Sequence, residues 1–205
     1  MIGIIDYGAG NLASIQNMLR RVEVDSIITS DVDALASVDK LILPGVGAFD
    51  RGIDNLHKSG LWDILNTRVL QDKVPILGIC LGVQLFTEGS DEGTAEGLGW
   101  IKGRTVAFDR AKLLDTQKVP NMGWRNIQIQ KDTPVTRDLP QDPRFYFVHS
   151  FHLQCEHPED VIVTSHHGYQ IQVGVQRENI IGLQFHPEKS HKFGMKLLTN
   201  FANSY

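Results

Sequence analysis

Cysteine is scarce in this chain: there are two, Cys80 and Cys155, among 205 residues. Two cysteines make neither a disulfide framework nor a zinc cluster, and they point to a reducing, cytoplasmic setting. A block of positive charge is missing as well. With a formal net charge of -4 and no basic run, nothing here would neutralise a row of phosphates, which argues against a nucleic-acid binder. No apolar run approaches membrane-spanning length, and Met1-Ile2-Gly3-Ile4-Ile5-Asp6 starts directly as a strand with no basic leader, so no membrane association is expected. Repeats, low-complexity tracts and linkers are also lacking, so residues 1–205 are expected to form one domain. What is present is ordinary for a globular protein with a full core, at 41% hydrophobic and 21% charged residues.

A short continuous apolar run at residues 2–6 reads as a strand buried on both faces, and residues 24–29, 40–43 and 74–79 read as further strands. Helices are predicted between them over residues 11–22, from a cap at Asp31-Val32-Asp33, and over residues 61–70, where Leu61, Ile64, Leu65 and Val69 share a face. This alternation predicts an α/β fold with an open, mostly parallel sheet flanked by helices. From Gly99 the texture changes. Strands predicted at residues 100–106, 125–130, 145–148, 161–164, 170–176 and 180–185 add an antiparallel section, several of them alternating polar and apolar. Phe193, Leu197, Leu198 and Phe201 give the C-terminal segment an amphipathic helix.

The stretch around which the chain is organised is Gly78-Ile79-Cys80-Leu81-Gly82. A lone cysteine is most often a small buried hydrophobe. Here it sits where an apolar strand ends and a helix over residues 81–87 begins, with a glycine two residues away on each side. That is a nucleophile elbow with sulfur in place of a hydroxyl, in which a Cβ on either flank would collide with the neighbouring strand or helix. The helix N-terminus would favour the thiolate.

A base is sought in Gln184-Phe185-His186-Pro187-Glu188. In extended chain, residues two apart share a face, so Glu188 would lie beside His186 and fix its tautomer, leaving the other ring nitrogen to accept the thiol proton. Cys80, His186 and Glu188 would then form a triad. A metal site of His186, Glu188 and His191 is the alternative for these residues, disfavoured because no other ligand-rich cluster accompanies it. Leu43-Pro44-Gly45-Val46-Gly47-Ala48 is either a plain turn or a loop whose N–H groups at Val46 and Gly47, with that of Leu81, face a developing oxyanion. Gly8-Ala9-Gly10-Asn11-Leu12-Ala13, with Asp31 further on, satisfies a dinucleotide fingerprint, or else makes only the tight strand-to-helix turn of a wound sheet.

Gly78-Ile79-Cys80-Leu81-Gly82-Val83-Gln84, Phe185-His186-Pro187-Glu188 and Pro44-Gly45-Val46-Gly47 together resemble the class I, triad-type glutamine amidotransferases. More narrowly, Asp6-Tyr7-Gly8-Ala9-Gly10-Asn11, Asn121-Met122-Gly123-Trp124, Tyr146-Phe147-Val148-His149-Ser150 and His186-Pro187-Glu188-Lys189-Ser190 are similar to the glutaminase subunits of imidazole glycerol phosphate synthases. The resemblance implies hydrolysis of L-glutamine by Cys80, His186 and Glu188, with no cofactor and no metal. It further implies that Gly47, Gln84, Glu92, His149, Ser150 and Phe151 hold the substrate. Asn121, Met122, Trp124, Tyr146 and Lys189 are expected at the interface with a cyclase subunit of (β/α)8-barrel type that receives the ammonia. The chain departs from the narrower pattern at Asn121, where histidine is usual, at Arg125, where asparagine is usual, and at Phe151, where tyrosine is common. Ser190-His191-Lys192-Phe193-Gly194 resembles a branch that supplies ammonia to an aminosugar amidotransferase, which keeps that partner as the alternative.

Overall fold

The computed structural model describes residues 1–205. Its sheet has 11 strands, nine of them in the order β2-β1-β3-β4-β11-β10-β9-β6-β7, with β5 and β8 off this path. The parallel part comprises β2 (Ser26–Thr29), β1 (Ile2–Ile5), β3 (Lys40–Gly45), β4 (Ile76–Cys80) and β11 (Ile180–Leu183). The antiparallel section is built from β5 (Gly103–Ala107), β6 (Asn121–Ile129), β7 (Arg144–His149), β8 (Phe151–Cys155), β9 (Val161–His167) and β10 (Tyr169–Arg177). An α/β fold with a parallel, helix-flanked sheet and an antiparallel addition is therefore what the chain forms.

The period of two along each central strand decides which helices cover which face. Leu41, Leu43 and Ile76 turn to one side and join the core beneath α2 (Val32–Ser37), α3 (Phe49–Lys58), α4 (Leu61–Asn66) and α5 (Leu81–Leu85). Ile2, Ile4, Ile42, Leu77 and Ile79 turn to the other, beneath α1 (Leu12–Arg21) and α6 (His191–Ser204). Because both faces are covered, these strands read as unbroken apolar runs.

Several boundaries differ from the sequence expectation. The segment expected as one helix over residues 61–70 is α-helical to Asn66 and π-helical over Thr67–Gln71. Trp100 lies before β5 rather than in it, β6 begins at Asn121 instead of residue 125, and α3 and β8 are additional elements. Gln184 to His186 lie past the end of β11.

Candidate active site

Strands β3, β4 and β11 bring their carboxyl ends to one edge: Gly45 pairs with Cys80, and Leu183 pairs with Ile79. This is the edge at which open α/β sheets bind ligands. Cys80 stands at the junction of β4 and α5 with φ 55° and ψ -111°, a conformation costly for any side chain, by about 1–3 kcal/mol. The flanking glycines make it possible. A Cβ on Gly78 would lie 2.6 Å from the Phe86 ring and 2.9 Å from Val83 Cα, and one on Gly82 would run into the Leu43 carbonyl.

The imidazole comes from the segment after β11. His186 N donates to the Tyr146 carbonyl at 2.9 Å, Tyr146 N donates to Ser190 Oγ at 3.0 Å, and Ser190 Oγ donates to the His186 carbonyl at 2.6 Å. That closed ring of bonds fixes the turn holding His186 and Glu188. Their side chains meet at 2.7 Å, His186 Nδ1 to Glu188 Oε1, and both are 2% exposed. The expected reason for this pairing does not hold: Pro187–Lys189 is a 3-10 turn, not extended chain, and the turn brings Glu188 back to the ring.

With Nδ1 facing the carboxylate, the neutral ring carries its proton there and leaves Nε2 as the acceptor. Nε2 is fully buried and has no hydrogen-bond partner, and His186 shares the cleft with Cys80. Burial alone would lower the imidazole pKa. The Cys80 sulfur and the Glu188 carboxylate outweigh burial and hold it at about 9, so the ring is poised to carry a proton beside the sulfur.

The cleft, about 290 Å³, is lined by Val46, Gly47, Cys80, Leu81, Gln84, Glu92, Pro120, Val148, His149, Ser150, Phe151 and His186. The resemblance-derived substrate residues thus all border one cavity, together with two members of the triad and the oxyanion-loop candidates. Gly47 has φ +110°, and Val46 is exposed. Glu92 accepts from Phe49 N at 2.9 Å, and Asp50 accepts from the N–H groups of Thr94 and Ala95 at 3.0 Å, which ties the loop carrying Glu92 to the start of α3.

Residues with no role assigned from the sequence also shape the site. Gln184 is fully buried, accepts from Gln84 Nε2 at 3.0 Å and aims its own amide nitrogen at Cys80 Sγ, 3.8 Å away. A glutamine inside the apolar run Ile180-Ile181-Gly182-Leu183-Gln184-Phe185 was the available signal. Tyr7 is 3% exposed, with a hydroxyl that has no partner and presses on Gly45; burial and the charge of Cys80 push its pKa up.

The expected interface residues divide. Met122 and Trp124 are exposed. Trp124 packs edge-on to Tyr146, and the Lys189 ammonium lies 5.7 Å from the Tyr146 ring centre. Asn121, at 1% exposure, lies inside the protein next to the exposed Met122 and is bonded to His149 Nε2 at 3.0 Å. The two rival motifs are spent on structure. Gly10 turns at φ +114° against Pro44, and Asp31 caps α2 through Ala34 N at 2.8 Å. His191 is stacked on Trp124 and does not join His186 and Glu188.

The sequence matches the family profile "Glutamine amidotransferase class-I" over residues 3–204. The chain belongs to the class I glutamine amidotransferases. Relatives within that family include "Imidazole glycerol phosphate synthase subunit HisH 2" of Methanococcus maripaludis, 48% identical over 98% of each chain. The protein of the same name from Pseudomonas aeruginosa is 45% identical, again over 98% of each. Among solved structures, that of PurLQS from Thermotoga maritima superposes with a TM-score of 0.72 at 18% identity, covering 98% of this chain and 97% of that one, a likeness of fold.

Proposed function

We propose that this amidotransferase is the glutaminase subunit of an imidazole glycerol phosphate synthase. In this reading Cys80 attacks the side-chain amide carbon of glutamine, and N–H groups at Val46, Gly47 and Leu81 face the oxyanion. His186 delivers its proton to the departing ammonia. Water then adds to the resulting thioester, with His186 taking the proton, and glutamate leaves as the thiol is restored. Glu188 keeps the ring oriented through both halves. The observation that carries the reading is that Cys80 and His186 border one cleft while the buried Glu188 carboxylate holds the far nitrogen of that imidazole at 2.7 Å.

Ammonia set free in water near neutral pH is protonated and loses its nucleophilicity, so a protected route to a second subunit is required. The exposed Met122 and Trp124, beside Tyr146 and Lys189, offer the surface for a (β/α)8-barrel cyclase. No helix is long and apolar enough to cross a membrane. The test is to mix the chain with the barrel subunit and its phosphoribulosyl ligand and to measure glutamate release. The reading expects glutamine-dependent turnover that Cys80→Ala abolishes. Turnover only with an aminosugar amidotransferase in place of the barrel would move the chain to that pathway, and none with either would refute the glutaminase assignment.

A further inference from the structure

An unbroken path of polar groups runs from the exposed Met122–Trp124 ridge to the sulfur of Cys80. Its outer end is Arg125 on β6. The guanidinium Nη1 donates to the Trp124 carbonyl at 2.9 Å, Nη2 to the Met122 carbonyl at 3.1 Å, and Nε to Asn121 Oδ1 at 3.1 Å. Both ridge carbonyls can turn to one side chain because Gly123 between them adopts φ +110°. Asn121 stands directly across from His149 in the β6–β7 pairing and donates to its Nε2 at 3.0 Å. His149 Nδ1 donates in turn to the Phe151 carbonyl at 2.7 Å.

The two bonds at His149 are mutually consistent only for one neutral tautomer, with the proton on Nδ1. Burial pushes the pKa of that ring down to about 3, so it stays neutral and the direction of the chain is fixed. The same Phe151 carbonyl takes Gln84 Nε2 at 3.4 Å. Gln84 also reaches Gln184 at 3.0 Å, and Gln184 reaches Cys80 Sγ at 3.8 Å. Gln84, His149 and Phe151 all line the cleft, whereas Met122 and Trp124 lie outside it.

We propose that Arg125 and Asn121 are positioning residues that tie the shape of the glutamine pocket to the Met122–Trp124 ridge, so that a partner seated on the ridge sets the pocket's geometry. The proposal rests on the glutaminase reading above. A planar fork with three donors in fixed directions is what the two carbonyls and the Asn121 oxygen require, and an ammonium on a flexible stem cannot supply it. A displacement of either carbonyl moves Asn121, and Asn121 is the partner of His149 Nε2.

The experiment uses the complex with the barrel synthase subunit and compares wild type with Arg125→Lys, Arg125→Ala, Asn121→Ala and the double variant Asn121→Ala/Arg125→Ala. Glutamine KM and kcat, alkylation of Cys80 by a diazo-ketone glutamine analogue with and without partner, and the partner's turnover with free ammonia are measured. Arg125→Lys is expected to raise glutamine KM about five-fold or more and to cut the partner's acceleration of Cys80 alkylation similarly. Ammonia-dependent turnover should stay unchanged, and the double variant should be no worse than the worse single. Should Arg125→Ala fail to fold, Arg125→Lys and Asn121→Ala carry the comparison. Wild-type KM and acceleration in Arg125→Lys, or additive losses in the double variant, would overturn the proposal and leave the glutaminase reading intact. Absence of wild-type alkylation at Cys80 would instead overturn that reading, and this one with it.

Discussion

Replacing Glu188 by glutamine keeps the shape of the side chain and removes its charge, which isolates the electrostatics of the buried pair. In the folded protein His186 has a pKa of about 9, against roughly 6.5 for a free imidazole. The folded state therefore binds this proton more tightly. The stabilisation is fully present below pH ~6.5 and is lost as the pH rises through about 9. The difference corresponds to roughly 3 kcal/mol at ~1.4 kcal/mol per pKa unit. Both side chains are 2% exposed, so solvent screening takes little from this figure. Urea unfolding between pH 6 and 9.5 of wild type, His186→Gln and Glu188→Gln reads it out. At roughly 2–3 kcal/mol per molar urea, the wild-type advantage over His186→Gln should shrink by about 1 M in midpoint across that range. In Glu188→Gln the loss should begin at lower pH, because one of the two groups that favour the imidazolium has gone. A difference between wild type and His186→Gln that stays flat from pH 6 to 9.5 would refute the ion-pair argument.

Gly78→Ala places a methyl group against the Phe86 ring and Val83 Cα, and overpacking of this kind should cost about 1–3 kcal/mol in urea unfolding and suppress glutamine turnover. The two thiols should differ in reactivity: burial, with Asp160 nearby, pushes Cys155 up to about 12, so peptide mapping after iodoacetamide at pH 8 should find label on Cys80 first. Equal labelling would count against an activated Cys80. Trp124→Ala should weaken partner binding in calorimetry about ten-fold or more while the unfolding midpoint of the free chain barely moves.

The inner parallel strands were legible because β1, β4 and β11 are buried throughout and therefore appear as apolar runs. The elbow was legible because Gly78, Cys80 and Gly82 mark a backbone that only close approach explains. Other elements left weaker traces. In α3 the stripe of Phe49, Ile53 and Leu56 is interrupted by Gly52, where a Cβ would lie 3.0 Å from the Leu85 side chain. Strand β8 is separated from β7 by Ser150 alone, so the two read as a single stretch. Glu188 was correctly paired with His186 through an incorrect local geometry, since spacing of two is compatible with both extended chain and a 3-10 turn. The burial of Asn121 depends on His149, a residue 28 positions away across the sheet, and a local window carries no trace of it.

The assignment of the nucleophile is tested most directly by mass spectrometry of the chain after incubation with a diazo-ketone glutamine analogue, in the presence of the barrel subunit and its ligand. One adduct on the peptide carrying Cys80, blocked by excess glutamine and accompanied by loss of glutamate release, is the predicted result. Unmodified Cys80 in a complex that still hydrolyses glutamine would contradict it.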